Sequence, residues 1–526
     1  MGIDVGTSSS KGLITNLKGE VLGEHAVEHC LEIPRPGWAE QDADAVWWRD
    51  VCLIANSLMD RIRGLNGDLI GVACSAIGPT MLPLDRNGSP LRRSILYGID
   101  TRATAEIEEL TDALGAERIY QVTGQKLTSQ SVGPKVLWYK RHEPANYERT
   151  AKIVTASTYL VYRLTGEFVV DNYTAPSFSP FFNLERLSWE SELVESICPV
   201  AWLPDPKWAA DIAGFVTSRA AEETGLPVGL PVAVGTVDAA AEALSAGVTD
   251  PGDLMVMYGT TLFLIQVLDS YRRHRDLWAS VYCLSGRAVL AAGMATAGAL
   301  INWFRQEFGR VEHDESSRIG MDAYGSLSMA AARVPPGSDA LITLPYFSGE
   351  RTPINDPYAR GLILGLTLKH SRGHIYRSFL EAVGYGLRHN VEAMIDVGAR
   401  PRRLVAVGGG TKNALWLQIG SDITGMAQEV PAQTVGAAYG DAYLAGLAAG
   451  VFQDTEPLRR EWSKIEKVVE PDPRTATIYD ELYDVYRRLY PLVRDEMHEL
   501  ARLSEQGHTL HTPLGESSGT EQEMRD

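Results

Sequence analysis

Residues 2–14 read GIDVGTSSSKGLI: an apolar run, a glycine, four hydroxyl residues and a lysine leading into a second apolar run. That order predicts strand, tight turn, strand. Gly6 lets the turn close with no Cβ in the way. Its backbone N–H groups and the hydroxyls of Thr7, Ser8 and Ser9 can donate to phosphate oxygens, and Lys11 adds a local cation. Asp4 can hold Mg²⁺ beside those phosphates, directly or through water. A plain hairpin with a polar turn fits the same residues.

The second half of the chain repeats this pattern. Residues 252–268, GDLMVMYGTTLFLIQVL, again read as strand, Gly-Thr-Thr turn and strand, and Gly6 and Gly259 stand 253 residues apart. A single such turn means little, but two of them predict phosphate clasps facing each other across a cleft between two α/β halves. Outward from the first clasp, residues 1–30 read as a β-meander. Residues 46–63 read as a helix with Trp47, Val51, Ile54 and Leu58 on one face. Strand-like runs at 69–77 and 80–84 precede a turn at 85–88, and 103–120 and 134–142 look helical. Residues 150–230, rich in aromatics and prolines, suit an irregular insertion or cap. Residues 232–248 read as buried strand, turn and helix, and Pro251 with Gly252 marks the main boundary. Beyond it come helices near 290–308 and 372–397, a strand at 403–410, and helices at 413–425, 435–450 and 475–503. The predicted domains are 1–249 and 250–503, with a disordered tail at 504–526.

Composition narrows the function. The 526 residues are 45% hydrophobic and 22% charged, an ordinary globular mixture. With 49 Lys+Arg against 67 Asp+Glu the net charge is −18. Such a surface repels nucleic acid and acidic lipid, so both are excluded as partners and any phosphate must be held locally. Five scattered cysteines without a CxxC argue against a disulfide framework or structural zinc and predict reduced thiols in the cytoplasm. No signal peptide opens the chain, and residues 288–304 are too short and Ala/Gly-rich for a bilayer span. Oligomeric state is not readable, and a homodimer stays open.

Three further stretches can carry chemistry. Gly408-Gly409-Gly410-Thr-Lys-Asn413, between a strand and a helix, lets a flat group approach the backbone, or is a tight packing turn; it is not GxGxxG, so a dinucleotide fingerprint is unsupported. Asp238 ends a buried strand and starts a helix: it is either an N-cap or a base fixed at a strand's carboxyl end. Tyr97-Gly-Ile-Asp100-Thr-Arg102 offers an Asp that can accept from sugar hydroxyls or cap the next helix. His370 and His374 read as solvated or capping, and Arg272 to Arg275 as a solvated loop. Gly349-Glu350-Arg351-Thr352-Pro353 reads either as an internal ion pair or as a site element.

Taken together, these stretches resemble the FGGY family of carbohydrate kinases. GIDVGTSSSKG is similar to its phosphate loop, and PYFSGERTPINDPYARG and VGGGTKNALWLQIGSDITG are similar to two motifs of its second half. The resemblance, over about residues 1–495, implies two actin-like (RNase H-like) domains closing over ATP and a small polyol or ketose. It implies a magnesium-associated Asp4, with Gly6, Thr7, Ser8, Ser9 and Lys11 around the phosphates and Asp238 as catalytic base. It implies nucleotide contacts at Thr260, Gly298, Asn302, Gly409, Gly410 and Asn413, and a sugar pocket containing Asp100 and Arg102. Two departures fall on the sugar side. Ile77-Gly78-Pro79-Thr80 replaces the Gln-Met-His-Gly of xylulokinases, so Gly78 and Pro79 stand where an imidazole is usual. Asp100 also lies one residue further from its aromatic partner than the family spacing. Relatives carry several residues before Gly-Ile-Asp, so the first strand is expected to be cut short or to start elsewhere. The expected reaction is ATP-dependent phosphorylation of a primary hydroxyl, on a pentulose such as D-xylulose. Erythritol-like polyols and glycerol are alternative acceptors, and a non-catalytic actin-like ATP switch is the rival class.

Overall fold

A computed structural model describes residues 1–64, 67–309, 323–433 and 436–507. The opening meander forms as its alternation dictates: β1 (Gly2–Val5), β2 (Ser9–Thr15) and β3 (Val21–Glu28) run antiparallel. Helix α1 (Arg49–Ile62) covers this sheet, with Val51, Ile54 and Leu58 fully buried and Trp47 buried just before it. Burying each such side chain contributes about 1.5–3 kcal/mol, which fixes the helix's rotation on the sheet. Two parallel strands, β4 (Ala73–Ala76) and β5 (Thr236–Val237), extend the sheet to the order β5-β4-β1-β2-β3. Helix α2 (Asp238–Ser245) follows β5 immediately.

The second sheet contains β6 (Asp253–Tyr258), β7 (Leu262–Leu268), β8 (Trp278–Val281), β9 (Ala288–Met294), β10 (Arg403–Val407), β11 (Gln428–Pro431) and β12 (Ile465–Val469), in the order β8-β9-β7-β6-β10-β11-β12. Antiparallel β6 and β7 with parallel β10 repeat the plan of β1, β2 and β4. Helices of this half include α3 (Gly298–Phe308), α4 (Arg372–Asp396), α5 (Ala414–Thr424), α6 (Ala437–Ala448) and α7 (Ala476–Gly507). Between the sheets, α2 packs against α6 along small residues. A Cβ on Gly440 would lie 2.1 Å from the Ala241 carbonyl oxygen, so only glycine permits that crossing. The same core joins Leu13 and Ala73 of the first sheet to Met255 and Val405 of the second.

Several expectations need correction. The segment 290–297 is not the start of a helix. AVLAAGM forms the interior strand β9, buried along its whole length, and so lacks the alternation that would mark a strand. The helix predicted over 103–120 is broken at Gly115, giving Thr104–Leu114 and Ala116–Thr123. The stretch 150–230 is more regular than a cap: it includes helices Ala156–Thr165 and Ser218–Thr224, each N-capped by a threonine. The terminal helix runs to Gly507; the predicted disordered tail otherwise lies outside the described residues. No described helix is long and apolar enough to cross a membrane.

Candidate active site

A cavity of about 760 Å³ opens between the two sheets. The first half lines it with Asp4, Gly6, Thr7, Ser8, Ser9, Lys11, Gly78, Pro79 and Asp238; the second half adds Thr261, Phe263 and Arg351 among others. The two predicted turns have like backbones: Gly6 N–H donates to Ser9 O and Gly259 N–H to Thr261 O, each at 3.0 Å. The first turn is braced from behind. Gln41 Nε2 donates to Thr7 O at 2.7 Å, and the His29 ring spans Gly6 O (3.0 Å) and Asp50 Oδ2 (2.8 Å). Tyr97 OH meets Thr7 Oγ1 at 3.1 Å. Such bracing holds the loop's N–H groups and hydroxyls ready for an anion.

Strand register explains where the charges fall. On the antiparallel pair β1–β2, Asp4 sits opposite Lys11, and on the parallel pair β1–β4 it sits opposite Ser75. Directly paired residues share a face, so the three form one row. Ser75 Oγ lies 2.9 Å from Asp4 Oδ1 and 2.6 Å from Asp441 Oδ2 on α6. Ser75 N–H also donates to Asp441 Oδ2 at 3.0 Å, and burial pushes the Asp441 carboxyl well above its ordinary range. Burial raises Asp4 to about 6, against the opposing pull of Ser75 and Lys11. Asp238, one residue past β5, is raised to about 7 by burial and then by the negative charge of Asp4. Glu242, one turn further along α2, is raised to about 7 by the same two causes, partly offset by Lys11. A carboxylate poised near neutrality at a strand's carboxyl end can take a proton from an alcohol.

Asp4 also passes a simple fit test for Mg²⁺. Ser75 alone donates to its carboxylate among the described residues, and Oδ1 takes that bond. A hard cation that keeps most of its waters needs one or two such carboxylates, with substrate phosphates supplying the rest. Among the described residues no group of three or more His, Cys, Asp or Glu could hold a metal on its own. Any Mg²⁺ here is therefore shared with a phosphate ligand.

The remaining predicted nucleotide residues lie outside the cavity wall and gather behind the second turn. Gly298 opens α3, its N–H donating to Gly259 O at 2.9 Å; a Cβ there would stand 2.5 Å from the same oxygen. Thr260 O accepts from Ala297 and Ala299 N–H. Gly409 faces open space, while Gly410 packs on Tyr258 and Trp416. Asn413 caps α5 and donates to Ser328 at 3.0 Å. Asn302 Oδ1 accepts from Arg305 and Tyr324.

On the sugar side, Asp100 and Arg102 do not line the cavity. Their side chains are fully buried and pair at 2.7 Å; Asp100 also accepts from Ala39 N–H, and Arg102 reaches Glu40 and stacks on Trp38. Their bonding capacity is spent on each other, one layer behind Tyr97. Arg272 to Arg275 is likewise no free solvated loop. Arg273 pairs with Glu185 (2.6 Å) and Arg275 with Glu117 (2.9 Å), strapping the second half to the first beside the cavity. Glu350 and Arg351 form no side-chain ion pair. The Glu350 carboxylate accepts from Ala295 and Arg351 backbone N–H. His374 does cap α4 with Ser371. Sequence reasoning passed over Glu242, Ser75 and Asp441. Glu242 left a signal: a lone carboxylate in the alanine run DAAAEALS, one helical turn after Asp238.

Comparison with known proteins agrees with this architecture. The model for the FGGY family of carbohydrate kinases, N-terminal domain, matches residues 1–245, and that for its C-terminal domain matches residues 254–449. The chain belongs to the FGGY family of carbohydrate kinases. It is thus an ATP-dependent sugar phosphotransferase. A xylulose kinase of Klebsiella pneumoniae is 29% identical over 504 residues, covering 94% of this chain and 99% of its own. An autoinducer-2 kinase of Enterobacter sp. is 29% identical over 502 residues, covering 93% of each. Among solved structures, xylulose kinase from Rhodospirillum rubrum is 32% identical with a TM-score of 0.88, over 94% of this chain and 99% of that one.

Proposed function

We propose that this enzyme transfers the γ-phosphoryl group of ATP to a primary hydroxyl of a pentulose, D-xylulose foremost, with Asp238 as the general base. The carrying observation is the position of Asp238: a carboxylate raised to about 7, lining a cavity that also holds the Gly6–Lys11 clasp. The hydroxyl's proton passes to the Asp238 carboxylate while its oxygen bonds phosphorus and the bond to the ADP oxygen breaks. Thr7, Ser8, Ser9 and Lys11 hold the phosphates from the first half, and the Gly259–Thr261 turn approaches from the second. Phosphoryl transfer asks mainly for positioning and electrostatics, so this set is sufficient. Mg²⁺ held at Asp4 would neutralise phosphate charge when bound. Asp4, Asp238 and Glu242 crowd negative charge into one cavity, and their burial makes a cation there favourable.

Residues 1–249 supply the first clasp and the base, and residues 250–503 the nucleotide side, with Thr260 on the phosphates, Gly298 and Asn302 against the nucleotide, and Gly409, Gly410 and Asn413 around adenosine. The choice of a pentulose is supported by the xylulose kinases among the relatives, matched over nearly full length. Location in the cytoplasm is supported by five unpaired cysteines. The test is ADP release over a panel of D-xylulose, other pentuloses, pentitols, tetritols, glycerol and autoinducer-2. Turnover highest with D-xylulose supports the reading. Preference for another acceptor reassigns the substrate, and stimulation by none removes the kinase role in favour of an ATP-binding switch.

A further inference from the structure

Arg351 is the second half's counterpart of Lys11: both cations line the cavity without a described ion-pair partner. Arg275 pairs with Glu117, and Lys126 lies 3.6 Å from Asp276. Arg351 lines the cavity, yet no described residue accepts a hydrogen bond from its guanidinium or pairs with it. Half-buried at the cavity wall, its guanidinium keeps its charge and its five N–H donors available to a ligand.

Its root is fixed beside the second clasp. The Glu350 carboxylate accepts from Ala295 N–H (2.8 Å) and from Arg351's own N–H (2.7 Å). Thr352 Oγ1 accepts from Gly293 N–H at 2.7 Å, and Asn355 N–H donates to Arg351 O. Gly293 and Met294 on β9 pair with Phe263 and Leu262 on β7, the residues that leave the Gly259–Thr261 turn. Burial pushes Glu350 up to about 8, so the adjacent carboxyl is neutral at physiological pH and leaves the arginine's charge free. The first-half residues lining this cavity include Asp4, Lys11 and Asp238.

We propose that Arg351 is a catalytic residue of the second half, its guanidinium binding two oxygens of the phosphoryl group in transit from ATP to the acceptor. The planar fork of arginine matches two oxygens of the phosphoryl group, whose three equatorial oxygens share the negative charge as it passes between donor and acceptor. Lys11 from one half and Arg351 from the other then flank the group as the halves close. This inference rests on the kinase reading, and wild-type turnover of the sugar panel tests that reading separately.

The experiment compares wild type, Arg351→Lys and Arg351→Ala. Thermal melting checks the fold, steady-state kinetics give kcat and each KM, and calorimetry measures ADP binding with and without aluminium fluoride, a mimic of the phosphoryl group in transit. Arg351→Ala is expected to lower kcat by about 10²–10³-fold while ADP affinity and sugar KM change by less than about threefold. It should also abolish the tightening of ADP binding by aluminium fluoride, with Arg351→Lys in between. The proposal fails if kcat holds, if the loss falls wholly on sugar KM, or if aluminium fluoride still tightens ADP as in wild type. Should Arg351→Ala unfold, Arg351→Lys alone decides by the same measures.

Discussion

Replacing Asp238 with Asn should damage catalysis and stabilise the fold, with the second effect growing as pH rises from about 4 to about 7. The carboxyl is raised from 3.8 to about 7 by burial and by Asp4. A raised pKa means that the folded protein binds this proton more tightly than the unfolded chain does. Its stabilising share is therefore complete below about pH 4 and lost as pH rises through about 7. At roughly 1.4 kcal/mol per pH unit, the full difference is ~4 kcal/mol. Because the carboxyl opens on a wet cavity, about 1–2 kcal/mol of this should survive screening. Asparagine carries no charge, so near pH 8 the variant should melt about 2–6 °C above wild type, with the gap narrowing below pH 7 and closing near pH 4. Turnover should fall by about 10²–10⁴-fold, the usual worth of general-base help, with ADP binding unchanged. Scanning fluorimetry at both pH values and coupled ADP release read these effects on one preparation. Near-wild-type turnover would remove Asp238 from the base role, and equal melting at high pH would refute the burial argument.

Other perturbations discriminate further. For wild type, kcat/KM should rise with pH through about 7 as Asp238 loses its proton; Glu242→Gln removes a negative neighbour and should move that limb to lower pH by roughly half a unit to one unit. An unmoved limb would mean that the two groups do not interact. Asp100→Asn leaves Arg102 buried with Glu40 as its remaining partner, so denaturant titration should show a loss of about 3 kcal/mol with sugar KM unchanged. A raised KM at full stability would instead return Asp100 to the sugar pocket. Removing Arg273 and Arg275 together should speed amide exchange in 271–278 and 116–128 as the strap between the halves loosens, and unchanged exchange would show that the ion pairs carry nothing.

The clasps were legible in the sequence because they are local. Glycine, hydroxyls and a lysine at short spacing between apolar runs dictate a tight turn, and the repeat at Gly259 announced a second sheet of like plan. Asp238 was readable for the same reason, since a carboxylate where a buried strand meets a helix lies at a sheet's carboxyl end. What failed to show depended on partners far away in the chain. Strand β9 was hidden because a strand covered on both faces loses its period of two. Asp100 and Arg102 looked like a sugar contact, but Ala39 and Glu40, some sixty residues earlier, claim their hydrogen bonds.

The sequence by itself determined the fold class and the local chemistry of each phosphate clasp, because turns, periodicity and residue type act over a few positions. Only the tertiary structure decided which charges meet. Strand register put Asp4 between Lys11 and Ser75, helix crossing brought Asp441 to Ser75, and the fold set the Arg351 guanidinium in the cleft with no ion-pair partner among the described residues. Electrostatic energies depend on distance and burial in space, and neither is set by neighbours along the chain.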